Sequence, residues 1–308
     1  MHIIVLGAAA GGGFPQWNSH AVACRRARAG DPAVRPRTQA SLAVSHDGRR
    51  WFLLNASPDL REQIAATPAL HPNHGQRSTP IAGVVLSGGD VDVIAGLLSL
   101  RERQPFTVHA TARTLGILDA NPIFEVLARD VVARSPLALN ERVPLTGGGF
   151  ATEMGGLWVE LFPVPGKVPL YLEGDLQPGD APPITEGEDT VGVAIDDGHH
   201  CLFFIPGCAE MTPALADRLR GADLVFFDGT LYTDTEMIKA GLGAKTGLRM
   251  GHMSVDATLR AFNGLDVRRR IFIHINNSNP ILMDDSLERQ AVDRAGWEVA
   301  YDGMDITL

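Results

Sequence analysis

Apolar and polar positions along the chain separate into short runs of strand character and fewer helical stretches. His2 to Leu6 is an apolar run that empties into Gly7-Ala8-Ala9-Ala10-Gly11-Gly12-Gly13-Phe14-Pro15, a glycine-rich turn. Thr38 to Ser45 and Arg50 to Asn55 read as strands, and the Asp47-Gly48 between them is a tight-turn signal. Pro58 and Asp59 mark a helix start, whereas the polar, aperiodic stretch from His71 to Pro80 reads as a loop. Ala82 to Leu86 is again a strand, and it breaks into the small, acidic turn Ser87-Gly88-Gly89-Asp90-Val91-Asp92. Ala95, Leu97, Leu98 and Leu100 then follow at helical spacing. Phe106 to His109 predicts a strand and Ala112 to Leu118 a helix.

The second half opens with strand signals at Val143 to Leu145, Leu157 to Val164, Val168 to Glu173, Thr190 to Asp196 and Cys201 to Ile205. Helix and strand then alternate. Ala214 to Arg220, Val255 to Phe262 and Leu287 to Ala295 are helical, while Leu224 to Phe227, Arg270 to His274, Glu298 to Tyr301 and Asp305 to Leu308 are strands. Strand-rich stretches followed by helices, twice over, predict an α/β protein: an αββα four-layer sandwich, two mixed sheets face to face with helices outside. No linker divides residues 1–308, so one domain is expected. A doubly wound parallel sheet fits less well, because it needs crossovers where this chain has tight hairpins. The glycine-rich turn also fails as a dinucleotide loop, since Gly12 and Gly13 run into Phe14-Pro15 instead of opening a helix.

Composition narrows the function classes. The 308 residues carry a formal net charge of −9, which disfavours a nucleic-acid-binding surface. No apolar run reaches the roughly 18 residues of a membrane span. The Met1-His2-Ile3 start reads as a core strand and not a secretion signal. Cys24, Cys201 and Cys208 are few and odd in number, as in a reducing compartment, so a cytoplasmic protein is expected. A homodimer is one expected partner state, which the sequence does not decide.

The strand–turn–helix unit around Gly88 resembles the frame in which metallo-β-lactamase-fold proteins carry a His-x-His-x-Asp-His metal motif. On this chain the four ligand positions read Gly88, Asp90, Asp92 and Val93. Longer motifs are similar to one family. Gly11-Gly12-Gly13-Phe14-Pro15-Gln16-Trp17-Asn18, Asn55-Ala56-Ser57-Pro58-Asp59, Pro206-Gly207-Cys208, Phe227-Asp228-Gly229-Thr230, Met250-Gly251-His252 and Ile273-His274-Ile275-Asn276-Asn277-Ser278-Asn279-Pro280 resemble coenzyme PQQ synthesis protein B over the whole chain. That resemblance implies a metallo-β-lactamase-type fold and a role in making pyrroloquinoline quinone (PQQ). Its expected activity is iron- and dioxygen-dependent hydroxylation of the tyrosine ring of a glutamate–tyrosine-derived precursor. The alternative is a metal-free carrier of PQQ or its precursor, aiding transport to the periplasm.

The chain departs from that family where Val93 replaces a histidine and where Lys167 aligns with a further superfamily histidine. Relatives also carry a Cys-x-Cys-x-x-Cys cluster, matched here by Ser19, Ala21 and Cys24, so no structural zinc is expected. Remaining candidate metal ligands are Asp90, Asp92, His252 and His274, a set suited to iron(II) with open positions. His252, Asp228 and Cys208 are candidate catalytic groups, and Lys167, Asn276, Asn277 and Ser57 candidate substrate contacts. Plainer readings stand beside these: helix capping for Asp90 and Asp92, a core histidine for His274, and simple burial for Cys208. Hydrolysis through Cys208–His252 or Asp228–His252 is a third reading.

Overall fold

The computed structural model describes residues 1–148, 156–174 and 183–308. Fourteen strands are formed there: β1 His2–Gly7, β2 Ser41–Ser45, β3 Trp51–Leu54, β4 Ile81–Val85, β5 Phe106–Ala110, β6 Val132–Pro136, β7 Val143–Pro144, β8 Trp158–Pro163, β9 Val191–Asp196, β10 Cys201–Ile205, β11 Leu224–Asp228, β12 Arg269–Ile273, β13 Glu298–Val299 and β14 Asp305–Thr307. They make two seven-stranded sheets, ordered β14-β1-β2-β3-β4-β5-β6 and β13-β12-β11-β10-β9-β8-β7. In each, an antiparallel half, with a tight hairpin at β2–β3 in one sheet and β9–β10 in the other, continues into a parallel half. The expected αββα sandwich of two mixed sheets is the architecture present.

Alternation along the strands builds three apolar layers. Val5, Leu42, Leu54 and Val85 of the first sheet meet Leu161, Val193, Phe204 and Phe226 of the second, all buried. The opposite face of the first sheet packs Leu53, Val84 and Val108 against Leu60, Leu97 and Leu118. The opposite face of the second packs Phe227 and Phe272 against Leu215, Val255, Phe262 and Trp297. Phe262 and Phe272 both touch the Trp297 ring, at centroid distances of 4.8 and 4.1 Å.

Three local expectations change. Val168 to Glu173 is not a strand but a short 3-10 turn, Leu170–Leu172, because Pro169 has no N–H for a ladder. Val132–Pro136 is a strand that its pattern hid, since an edge strand covered mainly on one side needs few apolar residues. The helix after Asp92 begins earlier, as one turn over Val91–Ile94, and continues as a 3-10 helix, Ala95–Leu100.

The C-terminal ends of β4, β10, β11 and β12 open at one edge of the sandwich. Parallel strands commonly present ligand sites there. A bridge closes that edge, with Ile275 N–H donating to Ala8 O and Ala10 N–H donating to Ile275 O, both at 2.9 Å. The glycine-rich turn is thereby tied to the segment after β12.

Candidate metal centre and cavity

Asp228 is the last residue of β11 and is fully buried. Its Oδ1 accepts from Thr230 N–H at 3.0 Å and from the Thr230 hydroxyl at 2.7 Å. Its Oδ2 accepts from Cys208 N–H at 3.0 Å and from His252 Nδ1 at 2.7 Å. A carboxylate only accepts, so Nδ1 of His252 carries the proton and Nε2 is its free nitrogen. Gly251, with φ of +86°, ends the Gly247–Met250 turn in the left-handed region and aims the chain so that His252 reaches Asp228.

His274 directly follows β12 and itself has a φ of +58°. A non-glycine residue in that region costs about 1–3 kcal/mol, which the surrounding contacts must offset. Its Nδ1 lies 2.9 Å from the Thr230 hydroxyl and its Nε2 2.9 Å from Asp92 Oδ2. The His252 and His274 rings stack, with centroids 5.2 Å apart and planes 23° from parallel. Burial pulls the His274 imidazole down, but the bond and charge of Asp92, helped by Asp228 and Asp90, raise it above its usual pKa. Burial pushes Asp92 up, and the His274 bond and charge more than reverse that, leaving it below its usual value. Asp90 stands above its usual value, raised by burial and by the Asp92 charge and eased only in part by Lys167.

Asp90, Asp92, Val93, Lys167, His252, His274, Asn276 and Asn277 all line one cavity of about 420 Å³. Neither aspartate acts as a helix cap through its side chain. Asp90 sits at the N-cap of Val91–Ile94 without a capping bond, and its Oδ1 instead accepts from Leu170 N–H at 3.4 Å. Asp92 is committed to His274. The expected quartet of Asp90, Asp92, His252 and His274 therefore shares a cavity. The set whose ligand atoms all fall within 4.8 Å of one another, however, is Asp228, His252 and His274. Within that set Asp228 is taken up by the His252 Nδ1–H, so the groups left for a divalent cation that keeps open positions are His252 Nε2, His274 and the cavity carboxylate Asp92.

At the first position of the metal frame, Gly88 pairs with Thr190 as an antiparallel bridge. A Cβ there would lie 2.9 Å from Asp189 O, so backbone contact and not ligation governs that residue. Lys167 Nζ is 2.8 Å from Glu173, which also takes Arg249 at 3.1 Å. The ammonium expected to meet an anionic substrate is thus already paired inside the protein.

Two expected site residues lie elsewhere. Cys208 has a fully buried thiol that donates to Glu210 O at 3.1 Å, and burial pushes its pKa to about 12. It is a protonated packing residue, and its contribution is the main-chain N–H given to Asp228. Ser57 is fully buried, with its hydroxyl 3.2 Å from Gln63 Oε1, and it does not line the cavity. Its carbonyl is in the contact that makes Gly96 obligatory, 2.0 Å from a Cβ built there. Cys24 is buried behind the wall, its Sγ 3.7 Å from Asn277 Oδ1.

Sequence reasoning missed Thr230, although it ends the Phe-Asp-Gly-Thr motif. Its hydroxyl is the hub joining Asp228, His252 and His274. Gln16 and Asn18, which follow the glycine-rich turn, and Met237, Leu242 and Met250 were also missed as cavity residues. Their signal was weak, because two of these segments are short turns with no period.

Comparison with known proteins agrees with this fold. Residues 50–275 match the beta-lactamase superfamily domain. Coenzyme PQQ synthesis protein B of Gluconacetobacter diazotrophicus is 63% identical, with 99% of each chain covered. That of Methylobacterium nodulans is 52% identical over the full length of both. The crystal structure of zinc-bound PqqB from Methylobacterium extorquens superposes with a TM-score of 0.93 at 50% identity, over all of both chains. A diphosphatase of the PhnP family, at 20% identity and a TM-score of 0.67 over 99% of this chain and 96% of its own, shares the fold alone. The chain belongs to the family of coenzyme PQQ synthesis protein B, within the beta-lactamase superfamily, and its place is in PQQ synthesis.

Proposed function

We propose that this chain hydroxylates the tyrosine-derived ring of the PQQ precursor in an iron- and dioxygen-dependent step. One observation carries the reading: the stacked imidazoles of His252 and His274 face a single cavity together with carboxylates. His252 through its free Nε2, His274 and Asp92 would hold the metal, with Asp228 behind the His252 ring. Bound iron supplies the redox chemistry with dioxygen that these side chains cannot perform.

The protein's own groups do the rest. Asp228 fixes the ring of His252 and its tautomer, as carboxylates behind metal-binding histidines do. Thr230 couples that ring to His274 through one hydroxyl. Asp90, held toward its neutral form by burial and by Asp92, is placed to keep or release a proton at its carboxyl. Gln16, Asn18 and Asn276 offer amide donors for substrate carboxylates, Asn277 having given both of its own to Gln16 and Asn276, while Met237, Leu242 and Met250 offer an apolar wall for a ring.

The carrier reading draws on Val93 and Lys167. It loses support because Glu173 already neutralises Lys167. The test is metal content after anaerobic purification with iron and zinc supplied, followed by a single turnover of the precursor analysed by mass spectrometry. Stoichiometric iron and a product heavier by one oxygen support the proposal. Precursor binding with neither iron uptake nor oxygen incorporation would replace it with the carrier.

A further inference from the structure

A second cavity, of about 180 Å³, lies under the loop that precedes β2, lined in part by Arg35, Arg37, Trp297 and Tyr301. Arg37 is 4% exposed. Its Nε donates to Ala300 O and its Nη1 to Arg35 O, both at 2.9 Å. Among the described residues Nη2 has no acceptor, and no carboxylate comes within ion-pair distance of Arg37 or Arg35. The acidic residues of the cavity are already engaged: Asp284 and Asp293 by Arg289, and Glu298 by Arg269. Arg35 lies over the Tyr301 ring, 5.4 Å from its centroid. Asp302 and Asp284 attract Arg37 only from beyond ion-pair distance, and a buried guanidinium compensated so weakly is costly unless something else completes it. Burial lowers Arg37 only to about 10, so it is charged at neutral pH.

We propose that this cavity binds a small oxyanion, a carboxylate or a phosphate group, held by Arg37 Nη2 and Arg35 against Trp297 and Tyr301. A guanidinium fork matches the planar edge of a carboxylate or phosphate. The volume admits such a group in place of a few waters. The site also touches the metal cavity's wall. The Arg37 main chain exchanges hydrogen bonds with Phe14 at 2.7 and 2.8 Å, and the loop after Phe14 contributes Gln16 and Asn18 to that cavity. An anion bound at Arg37 is therefore one backbone pair from the loop that would contact substrate.

The test follows the Trp297 indole resonance in a nitrogen–proton correlation spectrum of the full chain, assigned by its loss in Trp297→Phe. Sodium phosphate and sodium acetate are titrated separately against sodium chloride at matched ionic strength. Saturation by either, in the millimolar range or tighter, supports the site, and the better probe identifies the headgroup. Arg35→Gln alters an exposed residue and should weaken the saturating anion about ten-fold, the worth of one charge-assisted contact. Arg37→Lys should abolish saturation; if that variant misfolds, Arg35→Gln decides alone. Shifts no larger than those of chloride, or unchanged affinity in Arg35→Gln, overturn the proposal.

Discussion

Asp228→Asn tests whether the carboxylate at the end of β11 organises the centre. The side chain is fully buried and accepts four hydrogen bonds, two on each oxygen. An asparagine keeps one oxygen and turns an NH₂ toward either Thr230 N–H or Cys208 N–H. A backbone donor then faces a donor, and each buried group left without an acceptor costs about 1–3 kcal/mol. The charged bond to His252 is lost as well, so the sum is about 3–5 kcal/mol. At roughly 2 °C per kcal/mol for a chain of this size, the melting temperature should fall by about 6–10 °C in scanning calorimetry. His252 then keeps at most a neutral acceptor on Nδ1, its ring is held less firmly, and zinc affinity measured by chelator competition should drop at least ten-fold. The control is Asp217→Asn, whose side chain is 76% exposed and, among the described residues, pairs only with Arg220; it should move stability by less than about 0.5 kcal/mol. An Asp228→Asn protein that melts within about 1 °C of the parent and binds zinc as tightly would refute the reasoning.

Three further outcomes are expected. Val93→His returns an imidazole to a cavity-lining position and should raise iron affinity about ten-fold or more, read by the same competition; no gain would mean that Val93 faces away from the metal. Glu173→Gln releases Lys167 and Arg249 from their shared carboxylate and should strengthen binding of a tricarboxylate probe, while Lys167→Ala weakens it, both effects shrinking at high salt. Calorimetric titration with equal affinities across all three proteins would remove Lys167 as an anion contact. Asp302 is raised to about 6, mainly by burial, against bonds from Thr38 that favour its charge. A folded-state value above the unfolded one contributes stability at low pH that is lost as pH rises from about 4 to about 6. The urea midpoint of the parent should therefore fall relative to Asp302→Asn across that interval and run parallel above pH 7; parallel behaviour throughout would show that Asp302 does not titrate there.

Strand periodicity and turn chemistry made most of the fold legible, because a strand buried on both faces and an Asp-Gly turn are local facts. Val168 to Glu173 misled, since its apolar content suited a strand while Pro169 withheld the donor that a ladder needs. Val132–Pro136 escaped notice for the opposite reason: its place in the sheet is set by Phe106–Ala110 beside it, not by its own pattern. In the site, Asp90, Asp92, His252 and His274 stood out by residue type at strand ends. Ser57 and Cys208 stood out equally and were misplaced, because a motif records that a residue matters to a turn without saying which way its side chain points.

The sequence by itself determined the two-sheet sandwich, the candidates Asp90, Asp92, His252 and His274, and the departures at Gly88, Val93 and Lys167. Only the tertiary structure decided that Thr230 links Asp228, His252 and His274, across 22 and 44 residues of chain. Only there did Glu173 appear as the partner that neutralises Lys167, and Asp92 as the partner of His274 from 182 residues away. Periodicity reports which face of an element is apolar. Hydrogen bonds at a few ångströms depend on how separate sheets and loops are placed against one another, and no local pattern carries that information.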